Sequence, residues 1–139
     1  MRVLVDTPIW SLALRRQVQN LNPVEIRIKA LFSELVADGR VMMVGLVRQE
    51  ILSGLRDPAQ FRRLRERLAA FPDFQLRTAD FERAAEMSNT CASRGIASTA
   101  TDMLICSVAY TAGAAIMSSD RDFMGYSKSL PIRLFTTVA

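Results

Sequence analysis

The chain contains no histidine, only two cysteines and no long apolar run. Without imidazole, a metal site here would have to use carboxylate oxygens. No apolar run reaches the roughly 18 residues of a membrane span, and no secretory signal precedes the first expected strand, so we expect a cytoplasmic location. Cys91 and Cys106 lack the CxxC spacing of a metal site, and we expect buried free thiols rather than a disulfide framework.

The composition favours one soluble domain with a basic surface. Its 139 residues, half of them hydrophobic and 23% charged, fit a single globular domain over residues 1–139. The net charge of +4 and the pI near 9.7 favour a polyanionic partner, nucleic acid before membrane. Sixteen of the eighteen cationic residues are arginine, which suits bidentate phosphate contacts but could equally reflect a GC-rich genome.

Strand and helix signals alternate along the chain. Apolar, β-branched segments predict strands at 2–6, 40–44, 74–76, 114–118 and 132–135. Capping residues followed by helical periodicity predict helices at about 7–16, 22–39, 46–55, 58–71, 78–95, 99–113 and 120–127. This alternation predicts a three-layer α/β/α sandwich with a mostly parallel central sheet of about five short strands.

Four carboxylates occupy positions that a folding chain normally fills with apolar side chains. Asp6 and Asp120 follow apolar strands, at the sheet edge where parallel α/β proteins bind ligands. Glu50 and Asp102 fall inside the apolar arcs of their predicted helices. Burying a carboxylate is costly unless it is paired or bound to a cation.

Each carboxylate also has a purely structural interpretation. Asp6 and Asp120 could cap helices, Glu50 could be a surface residue, and Thr99-x-x-Asp102 fits a capping box. One shared metal site explains all four at once, whereas the structural interpretation needs four separate reasons. Mg²⁺ and Mn²⁺ prefer carboxylate oxygens, and such sites suit phosphodiester hydrolysis.

Three neighbouring side chains are expected to support such a site. Thr7 and Ser118 each place a hydroxyl beside a proposed ligand, where it could bond a carboxylate or serve as an ordinary helix cap. Asp122 follows Asp120 by two residues, so we expect it to point elsewhere and to act as a supporting residue or a cap.

Four segments resemble the motifs of PIN-domain ribonucleases, most closely the VapC-type toxins of bacterial toxin–antitoxin pairs. In chain order they are Val3-Leu4-Val5-Asp6-Thr7, Val47-x-x-Glu50-Ile51, Ala100-Thr101-Asp102-x-Leu104-Ile105 and Ser118-Ser119-Asp120-Arg121-Asp122-Phe123. Each motif is short, but their order and spacing cover nearly the whole chain. Ser118 stands where the family commonly has threonine, and Pro8 after Asp6-Thr7 is less usual.

The resemblance implies a parallel-sheet sandwich with an acidic pocket and Mg²⁺- or Mn²⁺-dependent RNA cleavage. It also implies homodimers and inhibition by a small cognate antitoxin. The motifs carry the catalytic and metal-binding roles onto Asp6, Glu50, Asp102 and Asp120. Asp6 and Asp102 are the first candidates for direct metal ligands, and the sequence does not assign the general base.

Arginines close to these motifs in sequence are candidates for binding the RNA backbone, namely Arg15, Arg16, Arg48 and Arg121. The Arg62-Arg63-Leu64-Arg65-x-Arg67 cluster could be a solvated helix face, an RNA contact or an antitoxin groove. Two rival functions remain open. One is a non-catalytic basic RNA-binding or assembly module, and the other is a phosphotransfer domain with a strand-end aspartate nucleophile.

Overall fold

The computed structural model describes residues 1–14 and 17–135. Within them, four strands alternate with seven α-helices and one 3₁₀ turn, Val18–Asn20. The strands are β1 (Val3–Val5), β2 (Val41–Met42), β3 (Ala115–Met117) and β4 (Arg133–Leu134). The helices are α1 (Thr7–Leu14), α2 (Pro23–Ala37), α3 (Gly45–Leu52), α4 (Pro58–Leu68), α5 (Thr78–Ser93), α6 (Ala100–Ala112) and α7 (Asp122–Ser127).

All strand pairs in the sheet are parallel, in the order β2-β1-β3-β4. The predicted α/β class with a parallel sheet is confirmed. The expected strand at 74–76 is reduced to a single parallel bridge between Met43 and Asp73, reinforced where the Phe74 N–H donates to the Met43 carbonyl at 2.8 Å. A longer ladder does not form because the partner segment ends after Met43, where Val44 caps α3 and the helix begins at Gly45.

The central strand is covered on both faces. Every residue of β1 has zero solvent exposure, although its side chains alternate between the two sides of the sheet. Helices α1 to α4 pack on one another, while α5 packs on α6 and α6 contacts β1 and β3. Complete burial of a parallel strand requires a helical layer on each face, which confirms the predicted sandwich.

Trp10 anchors the first helix to the sheet. Its indole N–H donates to the Val5 carbonyl at 3.0 Å. Its ring meets Phe32 and Phe71 edge to face, at centroid distances of 5.0 and 4.9 Å. These contacts fix α1, and hence the turn at Asp6, against the core.

The structure also places the cysteines and the arginine cluster of α4. Cys91 and Cys106 are buried free thiols, as predicted. On α4, Leu64 and Leu68 are buried, whereas the arginines of the cluster are exposed. None of the helices in the described part of the chain is long and apolar enough to cross a membrane.

Candidate active site

The site lies at the carboxyl ends of β1 and β3, the two central strands of the sheet. β1 has β2 on one side and β3 on the other, so the carboxyl ends of β1 and β3 flank a topological switch point. Val5 is in register with Met117, and the Asp6 N–H donates to the Met117 carbonyl at 2.9 Å. This pairing places Asp6 and Ser118 side by side at the carboxyl ends of the two strands.

Asp6 is the most deeply buried acid of the site, with 5% of its surface exposed. Its Oδ1 accepts the Thr7 backbone N–H and its Oδ2 accepts the Ser118 hydroxyl, both at 2.8 Å. Burial raises the pKa of Asp6, the two hydrogen bonds oppose that rise, and the nearby Asp102 and Glu50 carboxylates add to it. The side chain is therefore fixed in orientation but costly to ionise without a cation.

Two hydroxyls connect the acids that come from different elements. The Ser118 hydroxyl donates to Asp6 and accepts the Asp120 backbone N–H at 3.0 Å. The Thr7 hydroxyl donates to Glu50 Oε2 at 3.3 Å. Each hydroxyl therefore bonds a proposed acid from another segment of the chain, and the supporting role of Thr7 and Ser118 stays a prediction.

Of the four acids predicted from the sequence, fewer are buried than the pattern indicated. Glu50 and Asp120 are exposed and Asp102 is half-buried, so the expectation that all four acids lie in apolar surroundings is wrong for Glu50 and Asp120. Glu50 is exposed on α3 although Val47 and Ile51 beside it are buried, and its Oε2 accepts the Thr7 hydroxyl.

Three carboxylates form a compact group, which we call the acidic cluster: Asp102, Asp120 and Asp122. One oxygen from each lies within 4.8 Å of the others. The expectation that Asp122 points elsewhere is wrong, because its backbone N–H donates to Asp120 Oδ1 at 2.9 Å and the tight turn keeps both side chains together. Burial raises the pKa of Asp102, and the Asp120 and Asp122 carboxylates raise it further.

Tyr126 is a residue of the site that the sequence analysis missed. Its phenol hydroxyl donates to Asp102 Oδ2 at 2.8 Å, while 1% of the residue is exposed. Its ring packs on Phe123 at 5.3 Å, nearly perpendicular. Burial and the Asp102 carboxylate raise the pKa of Tyr126 far above its usual value, so the phenol stays protonated as a donor.

The four arginines proposed to bind the RNA backbone differ in their surroundings. Arg48 bonds Asp73 Oδ1 through Nε at 3.0 Å, Leu68 O at 2.9 Å and Phe71 O. These bonds hold α3 against the end of α4 and the loop after it, which is a structural role, and RNA binding by Arg48 stays a prediction. Arg121 is exposed beside Asp120 and remains available. Arg15 and Arg16 lie outside the described residues.

The donor set fits a hard divalent cation. The side chains gathered here offer carboxylate and hydroxyl oxygens, which Mg²⁺ and Mn²⁺ prefer. The nearby Cys106 thiol does not compete, because burial and the Asp102 carboxylate raise its pKa to about 12. A cation would also offset the burial and the carboxylate repulsion that raise the pKa of Asp6 and Asp102.

Comparison with known proteins agrees with this geometry. Residues 3–128 match the model of the PIN domain family. The search of curated proteins finds no match. Among solved structures, similarity extends over 97% of this chain and 97% of the FitAcB structure from Neisseria gonorrhoeae, at 20% identity and a TM-score of 0.71.

Two further structures have the same fold. VapBC2 from Rickettsia felis, bound to a DNA fragment from its promoter, is 17% identical with a TM-score of 0.74, over 97% of this chain and 98% of that one. A toxin–antitoxin complex from Klebsiella pneumoniae is 15% identical with a TM-score of 0.65, over 98% of both chains. With the family model matched over most of its length, the chain belongs to the PIN domain family.

Proposed function

We propose that the protein is a Mg²⁺- or Mn²⁺-dependent endoribonuclease and the toxin of a toxin–antitoxin pair. The observation that carries the proposal is the convergence of acids from four separate segments on one end of the sheet. Membership of the PIN family, whose domains are nucleases, supports the reaction class. The similar solved structures, which include a toxin–antitoxin complex, support the biological role.

In this proposal Asp6, Glu50, Asp102 and Asp120 are the catalytic and metal-binding acids, with Asp122 beside them. A bound Mg²⁺ or Mn²⁺ would neutralise the phosphodiester and lower the pKa of water. Thr7 and Ser118 orient the carboxylates through the hydrogen bonds described above.

Asp6 and Asp102 are the two candidates for taking the proton from the attacking water. Hydrogen bonds fix both carboxylates in orientation, from Thr7 and Ser118 to Asp6 and from Tyr126 to Asp102. The pKa of each is raised in the metal-free protein, mainly by burial, and a bound cation would lower both.

The proposed partners are inferred from the positive net charge of the chain and from its family. RNA suits the basic, arginine-rich composition, and a cognate antitoxin protein would inhibit the toxin. Homodimerisation and action in the cytoplasm, where cellular RNA is found, complete the proposal. Arg121, exposed beside the acidic cluster, is the described arginine best placed to bind the RNA backbone.

Cleavage of a mixed RNA pool tests the reaction. We expect cleavage with Mg²⁺ or Mn²⁺, none with EDTA, and a loss of about 100-fold or more in Asp6→Asn and Asp102→Asn. Glu82→Gln is the matched control, because this acid is exposed on α5, next to Arg83, which contacts Thr111 at the far end of α6. Equal cleavage by all variants, or cleavage in EDTA, would refute the proposal.

The toxin role needs a separate test in cells. Expression should arrest growth, and co-expression of the gene immediately upstream should relieve the arrest. The Asp102→Asn variant, expressed at the same level, should leave growth normal. Arrest that persists in this variant would rule out catalysis as its cause.

A further inference from the structure

Of the four predicted acids, Glu50 has the weakest local support. It is exposed, and its one hydrogen bond among the described residues is the 3.3 Å contact from the Thr7 hydroxyl. Asp6 and Asp102, by contrast, each accept a side-chain hydroxyl at 2.8 Å. The position of the Glu50 carboxylate therefore depends mainly on α3, the helix that carries it.

Helix α3 is short, and its first turn has no side-chain cap of its own. It has eight residues, and the N-cap residue, Val44, makes no side-chain hydrogen bond. Helices of this length are not stable alone in water, so contacts with other elements must hold α3 in place. Buried Val47 and Ile51 attach one face to the core. Because apolar packing is non-directional, it fixes the depth of the helix better than its tilt.

The Asp73 carboxylate lies at the start of α3. A Cβ at Gly45 would be 3.4 Å from Asp73 Oδ2, so the carboxylate sits against the first residue of the helix. The backbone of Asp73 is held there as well, because it forms the parallel bridge with Met43. A negative charge at this end of α3 is favoured by the helix dipole.

Arg48 connects that carboxylate to the end of α4. Its guanidinium contacts Asp73 Oδ1 through Nε at 3.0 Å and through Nη2 at 2.9 Å. The same group donates to the carbonyl oxygens of Leu68, the last residue of α4, and of Phe71. The planar fork of arginine can bond several acceptors at fixed angles, whereas the ammonium of lysine is a single point charge. The Arg48–Asp73 pair thus fixes the direction of α3 against two neighbouring segments.

We propose that the Arg48–Asp73 pair positions the Glu50 carboxylate for cation binding and catalysis. This inference rests on the proposed function, and both residues act through Glu50 rather than by contacting the cation. Arg48 and Glu50 are about 200° apart around α3, so they project from nearly opposite sides of the helix. A change of tilt on the Arg48 side would therefore move the Glu50 carboxylate relative to the other acids.

Calorimetric titration of the full chain with Mn²⁺ tests this coupling. Arg48→Lys keeps the charge but loses the fork, and we expect Mn²⁺ affinity to fall about tenfold. In a Glu50→Gln background, which retains the acidic cluster, the same substitution should change affinity by less than about twofold, because no carboxylate is left to position. Asp73→Asn is an independent variant that should follow the same pattern. A direct effect of the Asp73 charge on the cation would persist in that background.

Arg83→Lys is the matched control. Arg83 is a comparably exposed arginine, at 31% against 23% for Arg48, and it pairs with Asp80 and bonds hydroxyls of α6. It also supports a helix that carries an acid, but Asp102 on α6 has its own hydrogen bond from Tyr126. We expect the melting temperature to fall in both lysine variants. Only Arg48→Lys should lose Mn²⁺ affinity and show a lower kcat for RNA cleavage at unchanged KM.

The results separate this inference from the proposed function. Wild type that neither binds Mn²⁺ nor cleaves RNA would overturn both proposals. With wild type active, unchanged Mn²⁺ affinity in Arg48→Lys and Asp73→Asn would overturn the positioning role alone. An equal loss of affinity with and without the Glu50 carboxylate would do the same, since the pair would then act independently of Glu50. An equal loss in Arg83→Lys would indicate a general effect of lower stability and would also overturn it.

Discussion

The Tyr126 hydroxyl donates a 2.8 Å hydrogen bond to Asp102 Oδ2 from a ring that is almost fully buried. This bond joins α7 to the first turn of α6, and it favours the ionised form of Asp102 against the effects of burial and of the neighbouring acids. A side chain with no apparent role in the sequence thus sets the orientation of a central acid.

Replacing Tyr126 with phenylalanine should weaken metal binding while preserving the fold. Phenylalanine keeps the ring packing on Phe123 but removes the donor, so we expect Mn²⁺ affinity to fall about 10- to 100-fold. Because that donor lowers the pKa of Asp102, its loss should also shift the pH dependence of Mn²⁺ binding to higher pH.

Calorimetric titration with Mn²⁺ at several pH values measures both effects. Tyr110→Phe is the matched control, since Tyr110 is 51% exposed near the opposite end of α6. If Tyr126→Phe binds Mn²⁺ like wild type at every pH, the hydrogen bond has only a structural role.

The metal-free protein should lose stability as pH rises through the titration of its buried acids. The folded-state pKa of Asp6 lies above its ordinary value of 3.8, so this group contributes most to stability at pH below that value. The contribution disappears as pH rises through the raised pKa. Asp6→Asn removes this dependence, and we expect it to increase the melting temperature in EDTA at pH 7.

Thermal unfolding in EDTA over a pH series gives the difference between wild type and Asp6→Asn. Asp38→Asn is the control, because Asp38 is exposed at the end of α2. A lower melting temperature for Asp6→Asn at pH 7 would mean that the bonds from Thr7 and Ser118 outweigh the cost of burial.

Mn²⁺ or Mg²⁺ should stabilise the fold. Binding to the native state at 100 times the dissociation constant adds about 2.7 kcal/mol to the free energy of unfolding. Melting temperature should therefore increase with Mn²⁺ concentration, return to its starting value with EDTA, and respond much less in Asp102→Asn. A melting temperature insensitive to Mn²⁺ in wild type would contradict the metal site.

Arg48 and Arg121 should give opposite phenotypes. Arg48→Ala removes internal hydrogen bonds and should lower the free energy of unfolding by roughly 1–3 kcal/mol, with RNA affinity unchanged. Arg121→Ala should leave stability unchanged but reduce RNA affinity and the salt dependence of binding by about one phosphate contact. Chemical denaturation and RNA binding at several salt concentrations measure both, and weaker RNA binding by folded Arg48→Ala would reverse its assignment.

Sequence reasoning was most successful where local signals agree with the fold. The apolar strand before Asp6 and the Thr99 cap of α6 specify their elements directly, and the Thr99 hydroxyl accepts the Asp102 N–H at 3.1 Å. Periodicity was less successful for Glu50, which is exposed although Val47 and Ile51 of the same helix are buried. A helical projection gives the angle of a residue but not which parts of the fold cover it.

The missed features depend on contacts between distant segments. Tyr126 lies 24 residues from Asp102, and a tyrosine in a short helix has the same sequence signature whether it packs or donates. The structural contacts of Arg48 were also missed, because its partners are Leu68 at the end of α4 and Phe71 and Asp73 in the following loop, whose path no local signal defines. Metal binding and catalysis by the four acids stay predictions that experiment must test.

Alkylation of the two buried thiols would report local unfolding of the protein around them. Cys91 and Cys106 have no exposed surface, and the pKa of Cys106 is about 12, so neither should react with an alkylating reagent in the native state. Cys106 lies about one turn after Asp102 on α6, so its labelling would report local opening of this helix. The rate of alkylation with and without Mn²⁺ would then measure how strongly cation binding suppresses local opening.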